Sequence, residues 1–152
     1  MKRRLISVPL ILVVLAFAGF TGVALHAQTP APDDRIAVRA VVDTYLHGLK
    51  FNDVDSLKKA FWPEAKLFFT KADGTLGQLT QAEWYAGFAQ AAGKESKADL
   101  KVAALEVTND AATVKVVETY PSSRYTDYLS LIRFNGKWQI VNKIYTEQKA
   151  AK

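Results

Sequence analysis

The segment from Tyr125 to Thr146 constrains the fold of this chain more than any other. Its sequence, YTDYLSLIRFNGKWQIVNKIYT, contains two stretches rich in β-branched and aromatic residues, joined at Asn135-Gly136. Asn-Gly is the dipeptide best suited to a two-residue β-hairpin turn, because both turn positions need a positive φ angle. The sequence therefore predicts two antiparallel strands in which Phe134 is paired with Lys137, Leu131 with Ile140, Leu129 with Asn142 and Asp127 with Ile144.

The same register predicts which side chains share a face of the hairpin. Side chains alternate between the two faces of a strand, which places one carboxylate, Asp127, on an otherwise largely apolar face. Its predicted companions on that face are Leu129, Leu131, Trp138, Ile140, Asn142 and Ile144. The opposite face is predicted to carry Tyr128, Ser130, Ile132, Gln139, Val141, Lys143 and Tyr145. Because neither face is plainly hydrophilic, we expect helices to cover one face and a partner to cover the other.

The first residues have the layout of a secretory signal peptide. Lys2, Arg3 and Arg4 precede an uncharged, mainly apolar run over residues 5–20, and a cleavage site follows Ala27. We therefore assign residues 1–27 to a signal peptide, 28–33 to a linker and 34–148 to the folded domain of an exported, periplasmic or secreted protein. The alternative is an uncleaved N-terminal membrane anchor, because this run approaches the roughly 17 residues that span a bilayer.

Cleavage after Ala27 would also remove most of the positive charge. The chain has 20 Lys and Arg against 15 Asp and Glu, a formal charge of +5. Residues 1–27 hold three basic residues and no acidic one, which leaves 17 against 15 and a charge of +2. A nearly balanced charge does not favour nucleic-acid binding, and a chain without cysteine forms neither disulfides nor thiolate metal sites.

Three helices are predicted in the first half of the folded domain. Asp33-Asp34 is placed to cap a helix that runs to about Leu49, with apolar residues on one stripe at helical spacing. Asp53 opens a second, short helix that Pro63 is expected to stop. The capping box Thr80-Gln81-Ala82-Glu83 begins a third helix, predicted from about Gln81 to Ala92 and stopped by Gly93.

The remaining segments predict strands. A weak alternation indicates a strand over 65–70, and two longer strands are predicted over about 98–108 and 111–120, with Asn109-Asp110 as their turn. Together with the hairpin, they form an antiparallel sheet that follows the helices in sequence. This order is typical of an α+β fold with helices packed on one face of the sheet.

A second carboxylate, Glu118, is predicted to lie close to Asp127. Taking Asn109-Asp110 as a two-residue turn pairs Val107 with Ala112, Leu105 with Val114 and Ala103 with Val116, and Glu118 continues that inward face. Two carboxylates in one apolar pocket repel each other, which raises the pKa of one of them and suits proton transfer. The alternative is a structural role at the strand ends, with the carboxylates solvated, paired with Arg124 or Lys101, or hydrogen-bonded by Tyr45.

Other kinds of catalytic site receive little support. His47 lies opposite the apolar stripe of the first helix, so we expect it to be exposed. One histidine in the mature chain and no cysteine argue against a zinc site, and we predict neither a metal nor a cofactor. Ser122-Ser123 has no Gly-x-Ser-x-Gly context, and glycine-rich phosphate loops are absent from the sequence.

The sequence resembles the nuclear-transport-factor-2-like superfamily, and within it the SnoaL-like and "putative lumazine-binding" branch. The matching residues form four segments. They are Tyr45-Leu46-His47-Gly48 with Asp53 and Leu57, Ala60-Phe61-Trp62-Pro63-Glu64-Ala65, Tyr125-Thr126-Asp127-Tyr128-Leu129-Ser130-Leu131, and Asn135-Gly136-Lys137-Trp138-Gln139-Ile140-Val141-Asn142-Lys143.

This resemblance implies a cone of three N-terminal helices over a curved, mainly antiparallel sheet. It also implies a pocket at the open end of the cone and dimers formed through the outer sheet face. The superfamily includes isomerases, dehydratases, cyclases and non-enzymatic binders, so the fold does not decide the function. Relatives often have histidine where this chain has Trp62, and the loss of that acid or base weakens the enzyme hypothesis.

We therefore expect an exported domain that binds a small apolar or aromatic molecule, with no stable membrane association after signal cleavage. Asp127 and Asn142 are the predicted polar contacts, and the other predicted pocket residues are Tyr45, Trp62, Leu129 and Trp138. One alternative is a cofactor-free isomerase, dehydratase or cyclase that uses Asp127 and Glu118. Another is a dimeric interaction module whose outer sheet face includes Tyr128, Val141 and Tyr145.

Overall fold

The computed structural model describes residues 32–149. The predicted signal peptide, and the linker up to residue 31, lie outside the described residues. The helices are α1 (Pro32–Phe51), α2 (Val54–Ala60) and α3 (Gln81–Ala86), and a 3₁₀ turn covers Ala89–Ala91. The strands are β1 (Phe61–Thr70), β2 (Leu76–Leu79), β3 (Asp99–Thr108), β4 (Ala111–Thr119), β5 (Ser123–Phe134) and β6 (Lys137–Lys149).

The six strands form one curved, mixed sheet in the order β2-β1-β6-β5-β4-β3. Each neighbouring pair is antiparallel except β1 and β6, which run parallel. The predicted α+β class is therefore confirmed. The helices are less strictly N-terminal than predicted, because α3 follows the β1–β2 pair, and β2 itself was not predicted.

Helix α1 supplies one wall of the hydrophobic core. Val38, Val42, Tyr45 and Leu49 are buried, and their spacing of three to four residues places them on one side of the helix. They pack with side chains from the inner face of the sheet, among them Val116, Leu129, Leu131 and Ile140. The predicted apolar stripe of the first helix is confirmed.

Helix α2 leads directly into the first strand. Asp53 caps it by accepting hydrogen bonds from the backbone of Asp55 at 3.0 Å and Ser56 at 3.3 Å. The helix ends at Ala60, so the expectation that Pro63 stops it was wrong. Pro63 lies within β1, where the pairing with β6 is interrupted between Phe61 and Lys66. That position suits proline, which has no N–H to donate to a neighbouring strand.

Helix α3 begins as predicted and ends early. Thr80 accepts a hydrogen bond from the backbone of Glu83, and the Glu83 carboxylate accepts one from the backbone of Thr80, which completes the capping box. The helix ends at Ala86, six residues before the predicted end at Ala92. A 3₁₀ turn continues the segment, and Gly93 follows with a φ of 74°.

The β5–β6 hairpin has the predicted turn. Asn135 and Gly136 have φ angles of 50° and 73°, and Phe134 is paired with Lys137. Leu131 is paired with Ile140 as predicted, but Ser130 is then paired with Asn142, so Val141 is an extra residue on β6. This β-bulge reverses the alternation beyond it.

The predicted pairs beyond the bulge were therefore wrong. Leu129 is paired with Lys143 instead of Asn142, and Asp127 with Tyr145 instead of Ile144. A second irregularity lies in β3. The predicted pairs of Val107 and Leu105 with β4 are confirmed, but Val116 is paired with Val102 instead of Ala103, because the register shifts between Val102 and Ala104.

Within residues 32–149, no helix is long and apolar enough to cross a membrane.

Candidate functional site

A cluster of five polar side chains lies at one end of the core, between α1 and the inner face of the sheet. Tyr45 comes from α1, Glu118 from β4, Asp127 from β5 and Lys143 from β6, and Tyr120 directly follows β4. The first four are almost completely buried, with at most 5% of each residue exposed. Buried ionisable groups are rare unless they are paired, so this cluster is the principal candidate site.

Lys143 is the centre of the cluster. Its Nζ lies 2.6 Å from Asp127 Oδ2 and 3.8 Å from Glu118 Oε1, and it donates a hydrogen bond to Tyr45 Oη at 2.8 Å. Tyr45 also hydrogen-bonds Asp127 Oδ2 and lies 3.1 Å from Glu118 Oε1. Tyr120 donates to Glu118 Oε2 at 3.1 Å. Three strands and one helix therefore converge on one ammonium group.

The hydrogen bonds of Tyr45 link Lys143 to both carboxyl groups of the cluster. Its oxygen accepts a hydrogen bond from Lys143, and its hydroxyl is placed to donate to Asp127 Oδ2 or to Glu118 Oε1. Burial raises the pKa of Glu118 to about 8, with Lys143 opposing the shift and Asp127 adding to it. Glu118 is therefore mainly protonated at neutral pH.

Both tyrosines of the cluster are held in the neutral form. Burial raises the pKa of Tyr45 well above its usual value, and the neighbouring carboxyl groups of Asp127 and Glu118 raise it further. Burial and the Glu118 carboxyl group likewise raise the pKa of Tyr120. At neutral pH the cluster therefore contains the Lys143–Asp127 ion pair and three groups that carry an O–H.

Glu118, Tyr120 and Lys143 of the cluster line an open cavity of about 370 Å³, and we call these three residues its floor. We call this cavity the aromatic pocket, and its lining residues are Leu49, Trp84, Phe88, Glu118, Tyr120, Ser122, Ser123, Tyr125, Lys143 and Tyr145. The Nζ of Lys143 lies 5.0 Å from the ring centroid of Trp84 and 5.2 Å from that of Tyr145, distances typical of cation–π contacts. The pocket thus combines aromatic walls with a polar floor, as ligand sites commonly do.

A larger groove of about 760 Å³ lies between α1 and β3. Its charged lining residues Arg35, Arg39 and Asp43 are all exposed, and Arg39 pairs with Asp43 along the helix at 2.8 Å. Exposed pairs of this kind are common on helix surfaces. The aromatic pocket, with its buried charges, is the better candidate site despite its smaller volume.

The predicted site residues divide between the cluster and other parts of the fold. Asp127, Glu118 and Tyr45 come together as expected, and the hydrogen bond from Tyr45 to Asp127 is confirmed. The cation paired with Asp127 is Lys143, and not Arg124 or Lys101. Glu118 and Lys143 line the pocket, whereas Asp127 and Tyr45 do not line it and contact Lys143.

None of the six residues predicted to contact a ligand lines the aromatic pocket, and three of them lie in other parts of the fold. Leu129 and Trp138 are buried in the core, and the indole N–H of Trp138 donates to Asp34 at 3.4 Å. Trp62 is 37% exposed, and its ring packs edge-on against Phe134 with centroids 4.9 Å apart. Trp62 therefore does not occupy the space of a ligand in this pocket.

The predicted face of Asn142 was wrong. Asn142 is paired with Ser130 on β5 and Lys66 on β1, and the bulge at Val141 turns it away from the face that carries Leu129. Lys143 and Tyr145, predicted to face outward, lie on the inner face instead. Ile144, predicted to face inward, is half exposed.

Sequence reasoning missed Lys143, the cation of the site. One available signal was a single lysine in the otherwise uncharged stretch Trp138 to Thr146. Lysine inside such a strand needs a buried partner or a solvent-exposed face, and Asp127 was already a candidate partner. The bulge itself had no signal of its own, since neither Val141 nor Asn142 is a residue type that marks bulges.

His47 is exposed as predicted. Its Nδ1 lies 3.3 Å from Ser56 Oγ and 3.6 Å from Asp53 Oδ2, so it belongs to the capping region of α2. Ser56 Oγ donates to Asp53 at 2.6 Å, which leaves this hydroxyl unavailable for activation by His47. Across residues 32–149, no group of three or more His, Asp or Glu side chains is arranged to hold a metal ion.

Most of the chain matches the model of one protein family. The model of the "Putative lumazine-binding" family matches residues 33–146, which is most of the chain. The chain belongs to this family. The match includes all the residues that form the buried cluster, and it confirms the resemblance seen in the sequence.

Similar solved structures show the same fold. A nuclear-transport-factor-2-like protein of unknown function from Shewanella baltica is 22% identical, with a TM-score of 0.73 over 81% of this chain and 100% of that one. Another from Silicibacter pomeroyi is 23% identical, with a TM-score of 0.69 over 79% and 100%. At these identities the likeness concerns the fold alone.

A curated relative matches a shorter segment. Aldolase FrzH from a Cladobotryum species is 40% identical over 53 residues, which are 35% of this chain and 42% of that protein. The matched segment thus spans less than half of the relative's length.

Proposed function

We propose that this protein binds a small, largely apolar or aromatic molecule in the aromatic pocket. The observation that carries the proposal is a cavity of about 370 Å³ whose walls include the rings of Trp84, Phe88, Tyr125 and Tyr145. Stacking against such rings favours a planar ligand. Membership of a family described as lumazine-binding agrees with a planar ligand of this size.

The polar contacts of the ligand come from the pocket floor. Glu118 and Lys143 line the cavity, so they are the groups that a carbonyl or hydroxyl of the ligand reaches. Asp127 and Tyr45 contact Lys143 and fix its position. The proposed role of Asp127 is therefore to hold the cation in place.

Binding is tested with lumazine and 2-naphthylmethanol as probes, by tryptophan fluorescence and calorimetry. We expect saturable binding that Trp84→Ala weakens by about tenfold or more, equal to about 1.4 kcal/mol of lost contact. Trp62→Ala is the matched control, because Trp62 lies outside the pocket, and it should leave the affinity unchanged. Failure of both probes to bind, or equal effects of the two replacements, would reject the proposed pocket.

A second candidate function is proton transfer by Glu118, in a cofactor-free isomerase, dehydratase or cyclase. The observation that favours it is a carboxyl group that lines the pocket with a pKa raised to about 8, close to the value an acid–base catalyst needs. The relative named an aldolase points to the same chemistry, since an aldol reaction begins with removal of a proton next to a carbonyl group.

This activity is tested by hydrogen exchange. In D₂O, the methyl protons of 2-acetylnaphthalene should exchange faster in the presence of the protein, as followed by NMR. Glu118→Gln should abolish the acceleration and retain binding of 2-naphthylmethanol. Exchange at the rate of buffer alone would remove the enzyme hypothesis for this class of carbonyl compound.

We further propose a homodimer formed through the outer sheet face. Tyr128 and Ile144 are each 49% exposed there and pair across β5 and β6, with Ile132 36% exposed nearby. Tyr128→Glu should convert the dimer to a monomer in sedimentation experiments. Ile36→Glu, at an exposed position on α1, is the control. A monomeric wild-type protein would overturn the proposal.

We also propose export with cleavage after Ala27. Intact mass measurement of the protein from exporting cells should give a chain that begins at Gln28. Recovery of the full-length chain in the membrane fraction would instead support the N-terminal anchor.

A further inference from the structure

We propose that Lys143 is a nucleophile that forms an imine with an aldehyde or ketone bound in the aromatic pocket. This inference rests on the proposed binding function and adds the chemical class of the ligand. It also gives Lys143 a covalent role, whereas the proposed binding uses this residue only as a positively charged contact.

The position of Lys143 suits attack on a ligand. Its side chain is 6% exposed, and it is the only amine among the residues that line the aromatic pocket. The ion pair with Asp127 and the hydrogen bond to Tyr45 fix its Nζ at the floor of the cavity. A carbonyl carbon in the pocket would therefore meet an immobilised amine, and such orientation lowers the entropic cost of attack.

A lysine must lose a proton before it can attack a carbonyl carbon. Asp127 Oδ2, at 2.6 Å from Nζ, is placed to accept that proton. The other oxygen, Oδ1, is buried without a hydrogen-bond partner among residues 32–149. The geometry thus allows Lys143 to react as the free amine.

The groups needed for the later proton transfers are already present. As the Nζ lone pair forms the C–N bond, the carbonyl π electrons move to oxygen, which takes a proton from the Glu118 carboxyl group. Glu118 then removes a proton from nitrogen and returns it to the hydroxyl group, which leaves as water while the nitrogen lone pair forms C=N. Proton return from Asp127 to Glu118 restores both groups, so the lysine ammonium and the carbonyl compound become a protonated imine and water.

The product keeps the charges of the starting state. A protonated imine carries its positive charge on Nζ, so the ion pair with Asp127 is retained. The rings of Trp84 and Tyr145, with centroids 5.0 and 5.2 Å from Nζ, face the same cation. No new unpaired charge is buried, which removes the largest cost of forming a cation in a protein interior.

The experiment traps the imine by reduction. The wild-type protein is incubated with 2-naphthaldehyde and sodium cyanoborohydride, and the modified lysines are located by peptide mass spectrometry over time. We expect Lys143 to be labelled about tenfold or more faster than the exposed Lys137, because the bound aldehyde is held next to it. Labelling of Lys137 and other surface lysines with Lys143 unmodified would overturn the proposal.

Two further measurements separate this inference from the proposed binding. The double variant Lys143→Met, Asp127→Asn removes both members of the ion pair together, so no buried charge is left alone. It should lose the fast labelling, while Lys137 is labelled at the wild-type rate. If wild type binds the alcohol but the aldehyde never labels Lys143, the imine is rejected and binding stands. If the alcohol does not bind, the proposed function fails. The labelling rates of Lys143 and Lys137 in the wild-type protein test the imine even if the double variant does not fold.

Discussion

The two halves of the β5–β6 hairpin are paired in the same antiparallel way, but they present different kinds of side chain to the interior. Next to the turn, the side chains of Trp138 and Ile140 face the core as a simple alternation predicts. Beyond the extra residue Val141, the alternation is reversed, and Lys143 faces the interior opposite Leu129, where Asn142 was expected. The near half is hydrophobic core, and the far half is the candidate site.

This difference shows that a single additional residue in a strand can place a polar candidate site directly beside a hydrophobic core. A strand that followed its alternation without interruption would have presented Asn142 and Ile144 to the interior. The bulge instead presents Lys143 and Tyr145, an ammonium group and a phenol. Bulges are often found next to functional sites for this reason, because they redirect side chains without changing the rest of the sheet.

The largest expected effect comes from removing the cation of the far half. Lys143→Met leaves Asp127 buried without its partner, so we expect a loss of about 3–5 kcal/mol in the free energy of unfolding. Lys137→Met, at the exposed end of the same strand, should change stability by less than about 0.5 kcal/mol. Urea denaturation of both variants measures the contrast. Equal losses in the free energy of unfolding for the two variants would contradict the burial of Lys143 in an ion pair.

The pH dependence of stability should also come from the far half. The pKa of Glu118 is raised from 4.5 to about 8 in the folded state, so between these values the unfolded chain binds fewer protons than the folded one. Stability then falls as pH rises from about 4.5 to about 8, by at most about 1.4 kcal/mol per pH unit from this group.

Replacement of Glu118 tests this origin. Glu118→Gln should remove that part of the slope and raise stability at pH 8 relative to wild type. Denaturation curves at pH 5, 6.5 and 8 provide the measurement, and an unchanged slope in the variant would assign the effect to other groups.

The near half should respond to changes in its turn. Gly136 has a φ of 73°, and a Cβ added to it would meet no atom within 4 Å. Gly136→Ala therefore costs only backbone strain, about 1 kcal/mol. Gly136→Asn should cost less, because asparagine tolerates the left-handed region better. An equal or greater cost for asparagine, measured by thermal denaturation, would indicate that the turn is held by something other than backbone conformation.

The smallest effect is expected at Asn142, the residue that simple alternation places in the pocket. Its Oδ1 is buried without a partner in the described part of the chain. Asn142→Leu should thus change stability by no more than about 1 kcal/mol, because no existing hydrogen bond is lost. The affinity for 2-naphthylmethanol should remain that of wild type. A large loss of affinity would place Asn142 in the site after all.

Much of the fold follows from local signals that operate at short range. The Asn135-Gly136 turn, the Thr80–Glu83 capping box and the apolar stripe of α1 each depend on a few neighbouring residues, and all three are present. The approach of Glu118 to Asp127 was also predictable, since hairpin register and alternation place both on the inner face.

The remaining features depend on contacts between distant parts of the chain. Strand β1 begins at Phe61, directly after α2, whereas the sequence predicted a strand only from residue 65. It begins there because Phe61 is paired with β6, some 80 positions later in the sequence. The bulge at Val141 lies where β6 meets both β1 and β5, so its position is set by two partners at once. The sequence near Val141 does not contain this information, and for that reason Lys143 was assigned to the wrong face.

The central place of β6 also determines the order in which the domain can assemble. The chain from Pro32 to Leu79 forms two helices and a strand pair, but β1 finds its parallel neighbour only in β6, which follows every other strand of the domain. Contacts that join such distant segments slow folding. The apolar residues of α1 and β1 therefore stay without part of their native contacts until β6 is available, and apolar surface exposed over that interval favours aggregation.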